Sequence, residues 1–442
     1  MPESRSDRRL LLITASSRGM LAVRRSRVIH FQQCTMPYLA ALTPPGWDVE
    51  HVDEEVEEVD FTRHYDLVGI TFHTPSAAHA YALADRFRSR GTPVALGGPH
   101  VTLLPDEAER HADTVFTGEV EDTWPRFLRD LDEGRPASRY GCATPPSLAG
   151  VPMSRKDLFH RRDHSGGIMF ATRGCPSRCD FCAIIHMYPG GPRRRPVEEV
   201  AREFGSFSGK VIIFWDDNIA ADVEYGKELF RAITPYRKWW SSQASIHAGR
   251  DDEFLELAAR SGCKQLFLGL ESVSQRSLDL AHKSFNRVAD YRDVVRNIQS
   301  HGIAVQAGVV FGFDEDRAGV FADTLEFLED AAVQNATFNI LTPYPGTPLF
   351  RRLDAEGRIT TYDWSKYNAR ADVVYRPSLM TQQELLDGFT WINEQFYSLR
   401  SIARRLSRSP TGLYWTLPLN LRYLYAWRRH GTARRRTALP TT

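Results

Sequence analysis

The sequence lacks the features of membrane-spanning, disulfide-stabilised and nucleic-acid-binding proteins. Among its 442 residues there is no run of about 18 apolar residues, so no segment predicts a spanning helix. The six cysteines form no disulfide framework, and the apolar run after the charged N-terminus is too short for a signal peptide. A formal net charge of +1 argues against a protein built mainly to bind nucleic acid. We expect a globular protein of the reducing cytoplasm, with no nucleic acid partner.

Three of the six cysteines stand close together and organise the rest of the chain. Cys175, Cys179 and Cys182 follow a short apolar run with the spacing C-x3-C-x2-C. Thiolates suit iron–sulfur clusters, zinc or copper(I). A closed cubic 4Fe–4S cluster takes four cysteines, so three would leave one iron open to a small chelating ligand. A zinc site completed by His186 is the alternative, but structural zinc sites usually draw paired cysteines from two segments, and the remaining cysteines are isolated.

Upstream of the cysteines, apolar runs of strand length alternate with helical segments. The strand-like runs are Leu10–Ala15, Trp47–Val52, Asp66–Phe72, Pro93–Leu96 and Asp113–Phe116. Apolar strands that alternate with helices predict a doubly wound parallel sheet covered on both faces. Ligands of such sheets bind at the carboxyl ends of the strands. Three of these ends run into polar or glycine-containing loops, at residues 73–76, 97–102 and 117–119.

The second half of the chain predicts a different α/β domain. Residues 136–167 contain several prolines and glycines, which indicates a linker. Six further strand-like runs then alternate with helices: Ile168–Thr172, Val211–Trp215, Trp240–His247, Gln265–Leu270, Ala304–Phe311 and Thr337–Leu341. Six such units predict an open, partial (β/α)6 barrel over residues 168–349, with its chemistry at the carboxyl ends of the strands. Residues 350–442 predict a helical, basic extension.

Two strand ends of the predicted barrel hold acidic residues. Asp216 and Asp217 follow the second strand, where they could bind a metal or a cationic group, or could belong to a helix cap and turn. Glu271 follows the fourth strand and is costly to bury unless it is hydrogen-bonded. A ribose diol is a natural partner, because a carboxylate can accept from both hydroxyls.

The cysteine loop resembles the signature of the radical S-adenosylmethionine (radical SAM) enzymes, C-x3-C-x-aromatic-C. The resemblance implies a 4Fe–4S cluster on the three cysteines, with SAM chelated to the open iron and cleaved to a 5′-deoxyadenosyl radical. It also implies an external electron donor of the flavodoxin or ferredoxin type. The segment Gly269–Val273 resembles the family's G-x-E-S pattern, and Gly308–Asp314 resembles the segment that packs against adenine. The SAM contacts that follow from this resemblance are Phe181, Asp216, Glu271, Ser272 and Gly312.

The three loops of the first sheet resemble the cobalamin-binding domain that precedes the barrel in one branch of these enzymes. That branch includes hopanoid methylases and anaerobic tetrapyrrole cyclases. The resemblance implies a Rossmann-like cobalamin-binding domain over residues 8–135. The contacts that it implies are His73, Thr74, Ser76, Gly97, Gly98, His100, Gly118 and Glu119. Because the chain lacks the D-x-H-x-x-G motif, the implied cobalamin has no protein histidine on cobalt.

This resemblance implies a cobalamin-dependent radical SAM methyltransferase acting at an unactivated carbon of a biosynthetic small molecule. One alternative is a radical SAM enzyme for ring closure, rearrangement or oxidation, with cobalamin as a helper or absent. Another is a non-catalytic iron–sulfur electron carrier. Glu271 and the glycine loops argue against the carrier, because electron transfer needs no nucleoside pocket.

The C-terminal segment is basic. No acidic residue follows Glu394, and residues 400–436 hold ten arginines interleaved with aromatic residues. One interpretation is a helical extension that packs its aromatic side chains on the barrel and exposes its arginines to water. The other is a contact with a membrane surface or an anionic partner.

Overall fold

The computed structural model describes residues 8–16, 33–142, 144–159 and 167–437, and the side chains as far as Ala426. Parts of three predicted segments lie outside the described residues. They are residues 17–32 of the expected cobalamin-binding domain, residues 143 and 160–166 of the expected linker, and residues 438–442 of the expected C-terminal extension.

The first domain is a parallel sheet of six strands with the order β2-β1-β3-β4-β5-β6. In chain order its elements are β1 (Arg8–Thr14), α1 (Thr35–Ala41), β2 (Trp47–Asp53), β3 (Leu67–Thr71), α2 (Ala77–Arg88), β4 (Val94–Gly97), α3 (Pro99–Leu103), α4 (Pro105–Ala108), β5 (Thr114–Thr117), α5 (Thr123–Asp132) and β6 (Arg139–Gly141). This is the flavodoxin-like strand order with one strand added at an edge. The predicted doubly wound sheet is therefore confirmed.

The central strand β1 shows why the sheet is covered on both faces. Its residues Leu10 to Ile13 are all fully buried. Because successive side chains of a strand point to opposite faces, Leu11 and Ile13 enter one apolar cluster while Leu10 and Leu12 enter another. A strand buried on both faces has a continuous apolar run, which is the pattern that predicted it.

The sixth strand lies in the segment expected to be a linker. β6 pairs with β5, with Tyr140 opposite Phe116. The Tyr140 ring is buried and stacks on Phe116 at 5.5 Å between ring centroids. The first sheet thus continues beyond residue 135. A strand of three residues with one buried side chain has no periodicity from which it could be predicted.

The second domain is an open parallel sheet of six strands with the order β7-β10-β11-β12-β13-β14, which confirms the predicted partial barrel. In chain order its elements are β7 (Gly167–Met169), β8 (Thr172–Arg173), α6 (Ile184–Met187), β9 (Arg193–Arg194), α7 (Val197–Ser206), β10 (Val211–Phe214), α8 (Val223–Ile233), β11 (Trp239–Ala244), α9 (Asp252–Arg260), β12 (Cys263–Glu271), α10 (Gln275–Leu280), α11 (Tyr291–Ser300), β13 (Ala304–Phe311), α12 (Val320–Asp330) and β14 (Asn335–Ile340). β8 and β9 form a separate antiparallel pair, and the cysteines lie between these two strands.

The C-terminal region is helical, and its last part packs on the barrel at the amino ends of the strands. Its helices are α13 (Pro348–Ala355), α14 (Gln382–Phe396), α15 (Leu399–Ser407) and α16 (Leu413–Thr437). The fully buried Arg405 of α15 donates hydrogen bonds to the carbonyls of Val333 and Gln334, next to the start of β14. None of the helices that the structure describes has the length and apolar character needed to cross a membrane.

Candidate active site

The cysteine loop is held by the two aspartates that follow β10. The backbone N–H groups of Ala171 and Thr172 donate to the two carboxylate oxygens of Asp216, at 2.9 and 2.8 Å. Gly174, next to the first cysteine, donates to Asp217 at 2.8 Å. Asp216 is fully buried, and burial raises the pKa of its carboxyl to about 7. The carboxylate of Asp216 thus orients the start of the cysteine loop, and the SAM contact expected of this residue stays a prediction.

The shape of this loop depends on Gly174. Its φ of +86° lies in the left-handed region that favours glycine. A Cβ at this position would also lie 2.8 Å from the carbonyl oxygen of Gly191. Further along the loop, the Phe181 ring packs edge-to-face on Phe313, with 5.9 Å between their centroids. The loop is thus fixed at its start and at its centre by the protein itself.

The three thiols of the loop lie close enough together to influence one another electrostatically. Cys179 is buried, whereas Cys175 and Cys182 are half-buried. Burial raises the pKa of Cys179 to about 12 and that of Cys182 to about 11, and negative charge on the neighbouring thiols raises both further. Within the described residues, no three Cys, His, Asp or Glu side chains are placed to hold a single metal ion. In a cubane each thiolate binds a different iron, so the donor set fits a 4Fe–4S cluster.

Glu271 lies at the carboxyl end of β12 and pairs with Lys283. The distance from its Oε1 to Nζ of Lys283 is 2.7 Å, and both side chains are largely buried. The pairing register with β13 shifts between Gly269 and Glu271, and Glu271 has a φ of +64°. Such backbone strain in a residue other than glycine is concentrated at functional sites. The position fits the predicted contact with a ligand.

Lys283 connects this carboxylate electrostatically with the cysteines. Burial lowers the pKa of Lys283, but the negative charges of Glu271, Cys179 and Cys182 outweigh it and raise the pKa overall. The lysine therefore stays a cation beside the thiolates. The resemblance of Gly269–Val273 to the family pattern extends downstream to Lys283 and Asn286, but it implies no particular role for this lysine.

The irregular end of β12 is held by two side chains from the following segment. Asn286 is fully buried and donates from Nδ2 to the carbonyl of Gly269 at 2.9 Å. The hydroxyl of Tyr291 donates to the carbonyl of Leu270 at 2.7 Å. These bonds satisfy carbonyls at the register shift, so the strained conformation of Glu271 is built into the fold.

Two other predicted SAM positions have tasks within the protein. The hydroxyl of the buried Ser272 accepts a hydrogen bond from the N–H of Ser274 at 3.0 Å. Gly312 has a φ of +108°, and a Cβ there would lie 2.3 Å from the hydroxyl oxygen of Tyr375. These contacts explain why serine stands at position 272 and glycine at position 312. The SAM contacts of Phe181, Ser272 and Gly312 stay predictions.

The expected cobalamin loops meet at one edge of the first sheet. Thr71 of β3 pairs with Gly97 of β4, and the N–H of Gly118 donates to the hydroxyl of Thr102 at 3.0 Å. A Cβ on Gly98 would lie 2.5 Å from Oγ1 of Thr71, so packing alone requires this glycine. A Cβ on Gly97 would meet only the Cβ of Phe116, at an ordinary 3.6 Å. The glycine at 97 is thus unexplained by the protein's own packing and fits close approach of a large ligand.

Other predicted cobalamin residues differ in their exposure. His73 is exposed, whereas Thr74 and Ser76 are buried. His100 is fully buried, with its ring nitrogens 3.2 Å from the hydroxyl of Thr74 and 3.3 Å from the carboxylate of Glu107. The ring of His100 therefore lies in the interior with a protein partner at each nitrogen, and the cobalamin contact expected of this residue stays a prediction.

Glu119 joins the two domains instead of lining an open pocket. It is buried, and its Oε1 accepts a hydrogen bond from Arg173 at 2.7 Å while its Oε2 pairs with Arg193. Glu121 also pairs with Arg173, and the hydroxyl of Tyr38 donates to Glu121 at 2.8 Å. Arginines contact both carboxylate oxygens of Glu119, and the cobalamin contact expected of this residue stays a prediction. The network could not be predicted from the sequence, because its members come from separate segments.

The two strand-end edges face each other across this interface. α3, which follows the Gly97–Gly98 loop, contacts α6 of the cysteine loop. A Cβ on Gly118 would lie 4.0 Å from the carbonyl oxygen of Met187, and one on Gly346 would lie 3.3 Å from Leu103. The arrangement brings loops of the first sheet next to the cysteine loop of the second.

Comparisons with known proteins agree with this arrangement. The model of the radical SAM superfamily matches residues 169–328, and that of the B12 binding domain matches residues 34–128. The first match implies that the protein uses a 4Fe–4S cluster and SAM, and the second match supports the binding of cobalamin.

Relatives are similar over most of the chain. The bacteriochlorophyllide d C-12(1)-methyltransferase of Chlorobaculum tepidum is 30% identical over 431 residues, covering 93% of this chain and 92% of that protein. The hopanoid C-2 methylase of Rhodopseudomonas palustris is 28% identical over 342 residues, covering 74% of this chain and 64% of that protein. The structure of the radical SAM methyltransferase TsrM from Kitasatospora setae, with cobalamin and a 4Fe–4S cluster bound, shares the fold. Its TM-score is 0.71 at 14% identity, covering 96% of this chain and 99% of that one. The chain belongs to the radical SAM enzymes that carry an N-terminal cobalamin-binding domain.

Proposed function

We propose that the protein is a cobalamin-dependent radical SAM methyltransferase that methylates an unactivated carbon of a biosynthetic small molecule. The observation that carries this proposal is the position of the first sheet's ligand-binding edge beside the cysteine loop. When bound, the cluster and SAM supply a radical that can take hydrogen from carbon, and cobalamin supplies a methyl carrier. The names of the two relatives, both methylating enzymes, support the same reaction class.

The chain's own residues would have three tasks in this reaction. Cys175, Cys179 and Cys182 hold the cluster, and Asp216 orients the beginning of their loop. Glu271 accepts hydrogen bonds from the ribose hydroxyls of SAM, which orients the nucleoside at the carboxyl end of β12. Lys283 stays protonated beside the thiolates and offsets their negative charge. With the cluster bound, this buried cation would favour negative charge on the cluster.

We also propose the partners and the location of this reaction. A flavodoxin or ferredoxin would supply electrons, because the cysteines outside the loop are isolated in the sequence and offer no second cluster motif. The reducing cytoplasm suits an oxygen-sensitive cluster and free thiols. The basic C-terminal segment would contact a membrane surface.

The test is the product pattern of the reconstituted enzyme. Protein loaded anaerobically with iron, sulfide and hydroxocobalamin, then reduced and given SAM with the small-molecule extract of its source cells, should form both S-adenosylhomocysteine and 5′-deoxyadenosine. One methyl transfer and one radical cleavage per turnover predict equal amounts of the two. Formation of 5′-deoxyadenosine alone would contradict the methyltransferase and favour ring closure, rearrangement or oxidation. Formation of neither, with an intact cluster, would favour an electron carrier.

A further inference from the structure

A row of large apolar side chains is exposed on one side of α16. Its members are between 37% and 60% exposed and are Leu413, Tyr414, Leu417, Leu421 and Tyr425. Four of them recur at every fourth residue, so they share one side of the helix. We call this set the α16 face. Apolar residues that are exposed singly are normal, but a contiguous set marks a contact surface.

The opposite side of α16 is fixed on the barrel. Trp415 donates from Nε1 to the side chain of Gln265 in β12 at 2.9 Å. The fully buried Asn420 donates to the carbonyl of Gln334 and to the side chain of Asn335, both at 2.9 Å. Because these contacts set the rotation of the helix about its axis, the outward direction of the α16 face is a property of the fold.

Positive charge lies beside the α16 face at its Tyr414 end. Tyr414 lies 5.5 Å from the ring of Trp239, over which Lys210 and Lys264 are placed at 4.8 and 5.6 Å. Among the described side chains, no carboxylate forms an ion pair with either lysine. The sequence adds five arginines over residues 428–436 and no acidic residue after Glu394. The complementary surface is therefore apolar and anionic.

We propose that the α16 face docks the enzyme on an anionic lipid bilayer. Its leucines and tyrosines would enter the headgroup region, and Lys210 and Lys264 would lie near lipid phosphates. A second copy of the chain is a poorer partner, because two such faces would bring like charges together. The proposal rests on the membrane contact proposed above and names its residues and its lipid.

Docking in this way leaves the candidate active site accessible. α16 packs on Gln265 and Asn335, near the amino ends of β12 and β14. The cysteine loop and Glu271 lie at the carboxyl ends of the strands, at the opposite end of the barrel. The bilayer would thus contact the amino ends of the strands, and the substrate entrance would face away from it.

The test is sedimentation of the full-length holoenzyme with lipid vesicles. We expect binding to phosphatidylcholine vesicles that contain phosphatidylglycerol, weak binding to pure phosphatidylcholine, and weakening by salt. The double variant Leu417→Ser/Leu421→Ser should lower the affinity roughly tenfold or more, because it removes apolar side chains from the membrane contact. Lys210→Gln/Lys264→Gln should lower affinity for the anionic vesicles roughly tenfold. Tyr362→Ser, which removes an equally exposed aromatic ring elsewhere, should leave binding unchanged.

The other outcomes overturn the proposal. These are no sedimentation with anionic vesicles, or equal sedimentation of wild type and Leu417→Ser/Leu421→Ser. A dimer in sedimentation velocity that the same double variant abolishes would assign the face to a second copy. Formation of 5′-deoxyadenosine from SAM, measured without vesicles, should be the same in the variant and the wild type. That measurement separates a failure of docking from a failure of the proposed chemistry.

Discussion

Arg173 of the barrel domain donates a hydrogen bond at 2.7 Å to Glu119 of the first domain. Arg173 directly precedes Gly174 and Cys175, and Glu119 directly follows Gly118 in a loop predicted to contact cobalamin. The guanidinium is largely buried and also lies 4.3 Å above the ring of Phe170. This pair therefore links the loop that holds the cluster with the edge that would hold cobalamin.

Breaking this link should destabilise the protein strongly. Glu119→Gln leaves the buried Arg173 and Arg193 with less compensating charge, and removing one partner of a buried pair costs about 3–5 kcal/mol. We expect a clear fall in the melting temperature and faster proteolysis near the domain boundary. Glu256→Gln, which breaks an exposed pair with Arg260, is the control and should change stability by less than about 1 kcal/mol. Equal melting temperatures for Glu119→Gln and wild type would refute the interdomain role.

The cluster assignment predicts how iron content depends on individual cysteines. Anaerobically reconstituted protein should hold about four irons per chain, and replacing Cys175, Cys179 and Cys182 together by alanine should abolish them. Cys263→Ala, which removes a buried thiol from β12, should retain the iron. Iron analysis and the visible spectrum measure this. Stoichiometric zinc without iron absorbance after reconstitution would instead support a zinc site.

Long buried strands could be predicted from the sequence, because an apolar run is a local signature. The cluster site could be predicted for the same reason, because the cysteine spacing is also local. The apolar run of β1 predicted a strand buried on both faces. The last strand predicted for the barrel, Thr337–Leu341, agrees with β14 to within two residues at each end. The end of β12 placed Glu271 correctly at the carboxyl edge of the barrel.

Contacts between distant segments could not be predicted in this way. Nothing near His100 in the sequence shows that Thr74, 26 residues away, contacts its ring, or that the ring is wholly buried. Glu119 has the same difficulty, since its arginines lie more than fifty residues away. A polar residue after a strand therefore predicts a place at the edge of the sheet, but it does not show whether the side chain faces a ligand or the protein.

Glu271 should contribute directly to SAM affinity. Glu271→Gln keeps the shape of the side chain and removes its charge. Hydrogen bonds to a charged group contribute about 1.5–3 kcal/mol, so SAM affinity should fall roughly tenfold to a hundredfold. Equilibrium dialysis with the cluster loaded measures this, and iron content serves as the control for an intact loop. Unchanged SAM affinity with full iron content would remove Glu271 from the binding site.

Asp316 should make stability depend on pH. It is buried and accepts hydrogen bonds from the N–H groups of Gly312 and Phe313 and from the hydroxyl of Ser277. Burial raises its pKa from 3.8 to about 6, so its ionised form is disfavoured in the folded state. Between pH 3.8 and about 6 the folded protein therefore holds this proton more tightly than the unfolded chain does. The stabilisation is complete below pH 3.8, and the free energy of unfolding falls by at most about 3 kcal/mol as the pH rises through about 6.

The measurement for Asp316 is a comparison of melting curves by circular dichroism from pH 4 to pH 8. The melting temperature of wild type, relative to that of Asp316→Asn, should fall as the pH rises to about 6 and then stay constant. Asp387→Asn, on the exposed side of α14, is the control and should give no such trend. Curves for Asp316→Asn and wild type that stay parallel over the whole range would show that this carboxyl does not titrate in the window.

The two adjacent glycines after β4 should respond differently to substitution. Gly97 has room for a side chain, because the nearest atom to an added Cβ is the Cβ of Phe116 at 3.6 Å. Gly98 has no such room, because an added Cβ would lie 2.5 Å from Oγ1 of Thr71 and its φ is +103°. Gly97→Val should therefore keep the melting temperature while blocking the approach of a corrin to the backbone. Gly98→Val should lower the melting temperature whether or not cobalamin binds.

The measurement is gel filtration after reconstitution with hydroxocobalamin, with the retained corrin read from the visible spectrum. About one corrin per chain in wild type and almost none in Gly97→Val is expected, and wild-type retention by Gly97→Val would place cobalamin away from this loop.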